Sequence, residues 1–223
     1  MNLEHYQVIK APPTVFYIPE FITTEEEKSI LEHVNSAPKP KWTQLSNRRL
    51  QNWGGVPHPK GMIPEKIPEW LMQYTQRIGL LGLFEENKCP NHVLVNEYMP
   101  GQGIMPHTDG PVFYPTITTI SCGSHTVLDF YHPRSEQSDT MGPKLLSLLL
   151  EQRSLLVVRD DMYHDYMHAI AEVSRDVVTG DEANLELCGC RYEQEQCLER
   201  GTRVSLTIRL VPNTSRFQLR LGR

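Results

Sequence analysis

Beyond Cys89 the chain alternates apolar and polar residues in short runs set off by turn residues: HVLVNEYM, TITTISC, HTVLDFY, LLSLLL, SLLVVR, MHAIAEV and TRVSLTIRLV. Each run has the length and the β-branched content of a strand. Strands that follow one another without intervening helices indicate a sandwich or barrel. The stretch LLSLLLEQRSLLVV reads as a hairpin, because Glu151, Gln152 and Arg153 interrupt two apolar arms.

Before Cys89 the texture differs. FITTEEEKSILEHVNSAP carries helix-start chemistry, with Thr23 or Thr24 as N-cap, acids in the first turn, Ile30, Leu31 and Val34 on one face, and Pro38 as the end. PEWLMQYTQRIGLLG predicts a second helix, Pro68 suiting its first turn and Gly82 its stop. Between them, residues 39–68 are rich in Pro, Gly, Asn and Trp, and read as irregular with short strands around Trp42 and Leu50. Residues 175–200 are polar, acidic and without periodicity, and are expected to form a long loop. The fold class expected is therefore mainly β with flanking helices, α+β. Residues 1–88 would supply helices and a lid, and 89–223 the core.

Length and charge narrow the function classes. The chain has 223 residues, enough for one substantial core, and a formal net charge of −5, which argues against nucleic-acid binding by charge alone. No apolar run is long enough to span a bilayer, so no membrane association is expected. The cysteines number five, unevenly spaced and with no charged-then-apolar leader before them, which points to a reduced intracellular protein of the cytoplasm and nucleus. Cys188, Cys190 and Cys197 lack the second clean pair of a zinc site and are read as exposed free thiols.

Candidate chemistry starts at GIMPHTDGP. His107 and Asp109, one residue apart, would share one side of an extended strand and could bite one cation, or simply form a polar turn. A third donor must come from another strand. His168 opens an apolar alternating run, whereas His164 sits in the polar turn DDMYHDY, so His168 is preferred. Two histidines and one carboxylate on one face of a metal are the ligand set of non-haem Fe(II) oxygenases. In RGTRVSLTIRLV, Arg203, Ser205, Thr207 and Arg209 share one strand face and Val204, Leu206, Ile208 and Leu210 the other. If the Arg face lines an interior, two buried cations need carboxylate partners, and a dicarboxylate ligand supplies them bidentately.

H-x-D, a distal His and Arg-x5-Arg, in that order and preceded by VLVNEYMPG, resemble the AlkB-like branch of the Fe(II)/2-oxoglutarate dioxygenases. APKPKWTQLSNRRLQNWGG and ISCGSHTVLDFYHPR look like animal members of that branch, so the likeness covers most of the chain. The resemblance implies a double-stranded β-helix, or jelly-roll, core. It implies His107, Asp109 and His168 as iron ligands, Arg203 with Tyr98 on the distal carboxylate of 2-oxoglutarate, and Asn96 and Arg209 near its chelating end. The implied cofactors are Fe(II), 2-oxoglutarate as cosubstrate and dioxygen, and the implied reaction is hydroxylation of a C–H bond with loss of CO2 to succinate. On an N-methyl carbon the hemiaminal then collapses to formaldehyde, so the expected activity is oxidative demethylation of alkylated single-stranded RNA or DNA.

In this family the segment before the barrel forms a lid, which here would include Trp42, Arg48, Arg49, Asn52 and Trp53. Aromatic and Arg side chains there would stack on and clamp a flipped base, with Arg134 as a second substrate position. Packing is the plain alternative for both tryptophans. Where some nucleic-acid members carry an acid two residues past the metal Asp, this chain has Pro111, which removes one base contact. A protein side-chain demethylase or hydroxylase would share every metal and cosubstrate residue, and a non-enzymatic jelly-roll binding module would not need them. A monomer is expected.

Overall fold

The computed structural model describes residues 2–85, 88–133 and 142–215. In chain order the elements are β1 (Val15–Ile18), α1 (Thr24–Ser36), β2 (Thr43–Leu45), β3 (Arg48–Trp53), α2 (Glu69–Gly79), β4 (His92–Tyr98), β5 (Ile104–His107), β6 (Thr116–Cys122), β7 (Thr126–Tyr131), β8 (Lys144–Leu150), β9 (Leu155–Arg159), α3 (Asp161–His164), β10 (Met167–Ile170), β11 (Arg175–Val177), β12 (Cys197–Glu199) and β13 (Arg203–Arg209). A large sheet runs β1-β9-β6-β13-β4-β3-β2 and a small one β5-β10-β7-β8. The two face each other, as a double-stranded β-helix requires.

Period-2 alternation sorts the side chains of the large sheet into two layers. On its outer face Val93 and Val95 of β4, Leu155 and Val157 of β9, and Val204, Leu206 and Ile208 of β13 pack with Ile30 and Val34 of α1 and Leu71, Tyr74 and Ile78 of α2. On its inner face Tyr98, Leu156 and Val158 meet Leu128 and Phe130 of β7 and Leu148 and Leu150 of β8. Truncating a fully buried member such as Ile30 to Ala would cost about 2–5 kcal/mol. Among the described residues no helix is long and apolar enough to cross a membrane.

Local chemistry explains both long helices. Thr23 caps α1 through a capping box, its hydroxyl accepting from the Glu26 amide while the Glu26 carboxylate accepts from the Thr23 amide. Pro68 is the N-cap of α2 rather than part of its first turn, and the helix stops at Gly79, with Gly82 following at a φ of 72°.

Two expectations need correction. The apolar arms around residues 151–153 are not a hairpin: β8 pairs with β7 in the small sheet, whereas β9 lies between β1 and β6 in the large one. The intervening turn switches sheets, and Arg153 adopts a φ of 65° there. Residues 175–200 are also more than a loop. β11 and β12 pair as a ribbon, and buried Arg200 grips buried Asp176 through Nε and Nη2 at 2.7 and 2.6 Å. Glu151 anchors the same segment, accepting from the Gly189 and Cys190 amides and the Tyr192 hydroxyl. Cys188 is accordingly half-buried, while Cys190 and Cys197 are exposed, and all three are free thiols.

The N-terminal elements join the core directly. β1 pairs with β9, and the β2–β3 hairpin extends the large sheet beyond β4.

Candidate active site

Between the sheets lies a cavity of about 250 Å³, lined among others by Arg48, Asn96, Tyr98, His107, Asp109, His168, Arg203 and Arg209. Each arrives from a different part of the chain because inward positions recur every second residue along neighbouring strands. His107 and His168 are paired across β5 and β10, with ring centroids 4.4 Å apart. β5 comes this close because of Gly103: a Cβ there would stand 2.2 Å from the Ile170 carbonyl oxygen. The strand ends at His107, and Asp109 sits on the turn beyond it, followed by Gly110 at a φ of 90°.

The three donors are neighbours. His107 Nδ1 donates to the Met105 carbonyl at 2.8 Å, which leaves Nε2 as the nitrogen with a free lone pair. His168 Nε2 stands 3.9 Å from Asp109 Oδ2, and the other Asp109 oxygen accepts from Arg209 Nη1 at 2.7 Å. Burial, with Arg209 and His107 adding to it and Asp109 opposing, pushes the His168 pKa down to about 4, so the ring is neutral and able to ligate. Among the described residues no three His, Cys, Asp or Glu side chains close on one point, since Asp109 is drawn to Arg209. Two imidazoles and one carboxylate nonetheless fit the donor set of a facial Fe(II) site.

At the other end, Arg203 is 4% exposed and carries a charge that no carboxylate of the described residues neutralises. Its Nη2 donates to Ser121 Oγ at 2.9 Å, its Nε has no hydrogen-bond partner among the described residues, and the Tyr98 ring lies 5.9 Å away. Burial pushes its pKa down to about 10. A buried, unpaired guanidinium is costly, and a ligand carboxylate would relieve it. The residues present therefore suit a small diacid.

A sequence-family model described as the 2OG-Fe(II) oxygenase superfamily matches residues 23–209. The chain belongs to that superfamily. It is 53% identical to a zebrafish (Danio rerio) protein named "Probable RNA/DNA demethylase ALKBH6", over all of this chain and 96% of the relative. An uncharacterized mimivirus protein, L905, is 28% identical over 87% of this chain and 83% of its own length. Among solved structures, OsALKBH1 superposes with a TM-score of 0.56 at 13% identity, covering 90% of this chain and 98% of that one, which shows the shared fold. As a 2OG-Fe(II) oxygenase of AlkB-like type, the protein uses Fe(II) and 2-oxoglutarate.

The structure brings together the cavity residues expected from sequence but separates the tryptophans from them. On β3, Arg48 points inward, while Arg49, Gln51 and Trp53 face the helices. Gln51 Nε2 donates to the Val34 carbonyl of α1 at 3.0 Å, and Trp53 packs edge-on to Trp70 of α2 with Lys41 4.1 Å from its ring centroid. Trp42 lies under the Arg49 guanidinium, 3.9 Å from ring centroid, and Arg49 is held by Glu97. Both tryptophans are packing residues here, not cavity walls; Trp53 leaves β3 on the face opposite to Arg48, since alternate residues of a strand point to opposite sides, and Trp42 precedes β2. Asn52 Oδ1 accepts from His92 Nε2 at 3.2 Å. Arg134 lies outside the described residues. His164 is exposed on α3 and does not line the cavity.

Tyr163 escaped the sequence reading. It lines the cavity, and its hydroxyl donates to the Gly110 and Phe113 carbonyls, bracing the turn that carries Asp109. Its neighbours gave no periodic signal, since it lies on a four-residue helix. Ser121 could have been found as an inward position of the alternating TITTISC run.

Proposed function

We propose that this 2OG-Fe(II) oxygenase is an oxidative demethylase of alkylated single-stranded nucleic acid, RNA or DNA. The observation that carries the cofactor assignment is the buried Arg203, without a counter-ion among the described residues, in one cavity with His107, Asp109 and His168. The nucleic-acid part rests on the zebrafish relative's name and on its 53% identity over the whole chain.

In this reading His107, Asp109 and His168 hold the iron. Arg203, with the Tyr98 hydroxyl, binds the distal carboxylate of 2-oxoglutarate, and Asn96 and Arg209 lie near its chelating end. Bound iron and 2-oxoglutarate would together supply dioxygen activation, with CO2 and succinate as by-products and an oxygen atom delivered to a substrate C–H bond. Arg209 orients Asp109, Tyr163 fixes the turn beneath it, and Phe130, Ile170 and Leu128 keep the cavity wall apolar. On an N-methyl group the hydroxylated carbon leaves as formaldehyde and the base is restored.

A panel of methylated RNA and DNA oligonucleotides and methyl-lysine peptides, scored for formaldehyde and succinate, tests the reading. Formaldehyde matching succinate one-to-one on an oligonucleotide is the expected result. Matching release on the peptides alone would replace it with a protein demethylase.

A further inference from the structure

We infer that Arg48 is a positioning residue for the cosubstrate, acting through Asn96; this rests on the proposed seating of 2-oxoglutarate against Arg203 and Asn96. Sequence alone casts Arg48 as a reader of substrate, yet its side chain reaches the inner wall. Its Nε–H donates to Asn96 Oδ1 at 3.2 Å, and both residues line the cavity. A guanidinium has only donors, so the contact commits the oxygen end of the amide to Arg48. The Asn96 Nδ2 donors have no protein acceptor among the described residues and are left for a ligand. A carboxylate accepts from such donors. With Arg48 removed, the amide is free to flip, and its oxygen would then oppose the carboxylate.

The hairpin that carries Arg48 is fixed independently of any substrate. Asn47 at its tip donates to Glu172, which lies just beyond β10, the strand of His168. Arg48 and Asn47 together tie the β2–β3 hairpin to both the Asn96 strand and the His168 strand, so the Arg48 contact is built into the resting cavity.

The test is 2-oxoglutarate binding by calorimetry to the Mn(II)-loaded protein, using wild type, Arg48→Ala, Arg48→Lys, Asn96→Ala, the Arg48→Ala/Asn96→Ala double variant, and Arg203→Lys. Arg48→Ala is expected to weaken binding about tenfold, the scale of one charge-assisted hydrogen bond, and Arg48→Lys to recover much of that loss. The double variant should bind no more weakly than Asn96→Ala alone, because the two residues act in series. Unchanged affinity in Arg48→Ala, or losses that multiply in the double variant, would overturn the inference. If Arg203→Lys and Asn96→Ala both bind like wild type, the cosubstrate seating itself is wrong and the inference falls with it. Thermal unfolding of each variant separates a loss of fold, which would lower binding and melting temperature together, from the local effect, which lowers binding alone.

Discussion

Arg209 Nη1 lies 2.7 Å from Asp109 Oδ1, although the two residues are 100 positions apart in sequence. Arg209 is 5% exposed, and burial pushes its pKa down while Asp109 opposes that shift. The pair closes the end of β13 onto the turn after β5, so one contact joins the two segments that supply the proposed metal and cosubstrate residues.

Breaking a buried ion pair from one side leaves the other charge uncompensated, at a cost of about 3–5 kcal/mol. Arg209→Met is expected to lower urea stability by that order. Adding Asp109→Asn should return part of the loss, since it removes the stranded charge. Losses that simply add in the double variant would show that the contact contributes nothing.

Arg203→Lys should weaken 2-oxoglutarate by about 1.5–3 kcal/mol, because a point ammonium cannot reproduce the bidentate fork. Iron binding should survive. An unchanged dissociation constant, measured by calorimetry, would remove Arg203 from the cosubstrate site.

Trp53→Ala is now expected to act on stability rather than on substrate. The indole is half-buried between β3 and α2, with its Nε1 donating to Gln51 Oε1 at 3.0 Å. A loss of about 2–4 kcal/mol in denaturant, below or near the range for a fully buried Trp, should accompany unaltered 2-oxoglutarate affinity. Loss of oligonucleotide binding with full stability would return Trp53 to the substrate side.

These corrections show what the sequence carried. The alternation of Arg203, Ser205, Thr207 and Arg209 against Val204, Leu206 and Ile208 was legible because both faces of β13 are buried and period 2 leaves each face uniform in character. The face of Trp53 was not, since β3 is short and mixed in composition, and residue type alone does not tell a stacking indole from a packing one. The turn after β8 was misread because a sheet switch and a hairpin share the same local composition; only the pairing partners distinguish them. β11 and β12 have three residues each, too few for any periodic signal.

Acid should weaken the fold through His92. The ring is buried, its Nδ1 has no hydrogen-bond partner among the described residues, and burial, with Arg209 nearby, pushes its pKa down to about 3. Below an unfolded value near 6.5 the unfolded chain takes up a proton that the folded chain refuses. Stability contributed at neutral pH is therefore lost as pH falls from about 6.5 towards 3, by up to about 1.4 kcal/mol per pH unit. Urea midpoints at pH 7 and pH 5 should differ less in His92→Phe than in wild type. An equal shift in both would assign the acid sensitivity to other groups.

The most direct measurement is an anaerobic calorimetric titration of Fe(II) in the presence of 2-oxoglutarate, followed by aerobic succinate formation on the same samples. Wild type and His164→Ala are expected to bind one iron per chain and to turn over, whereas His107→Ala, Asp109→Ala and His168→Ala should lose both, because each would fill one coordination position. Wild-type iron binding and succinate formation in His168→Ala would contradict the proposed site.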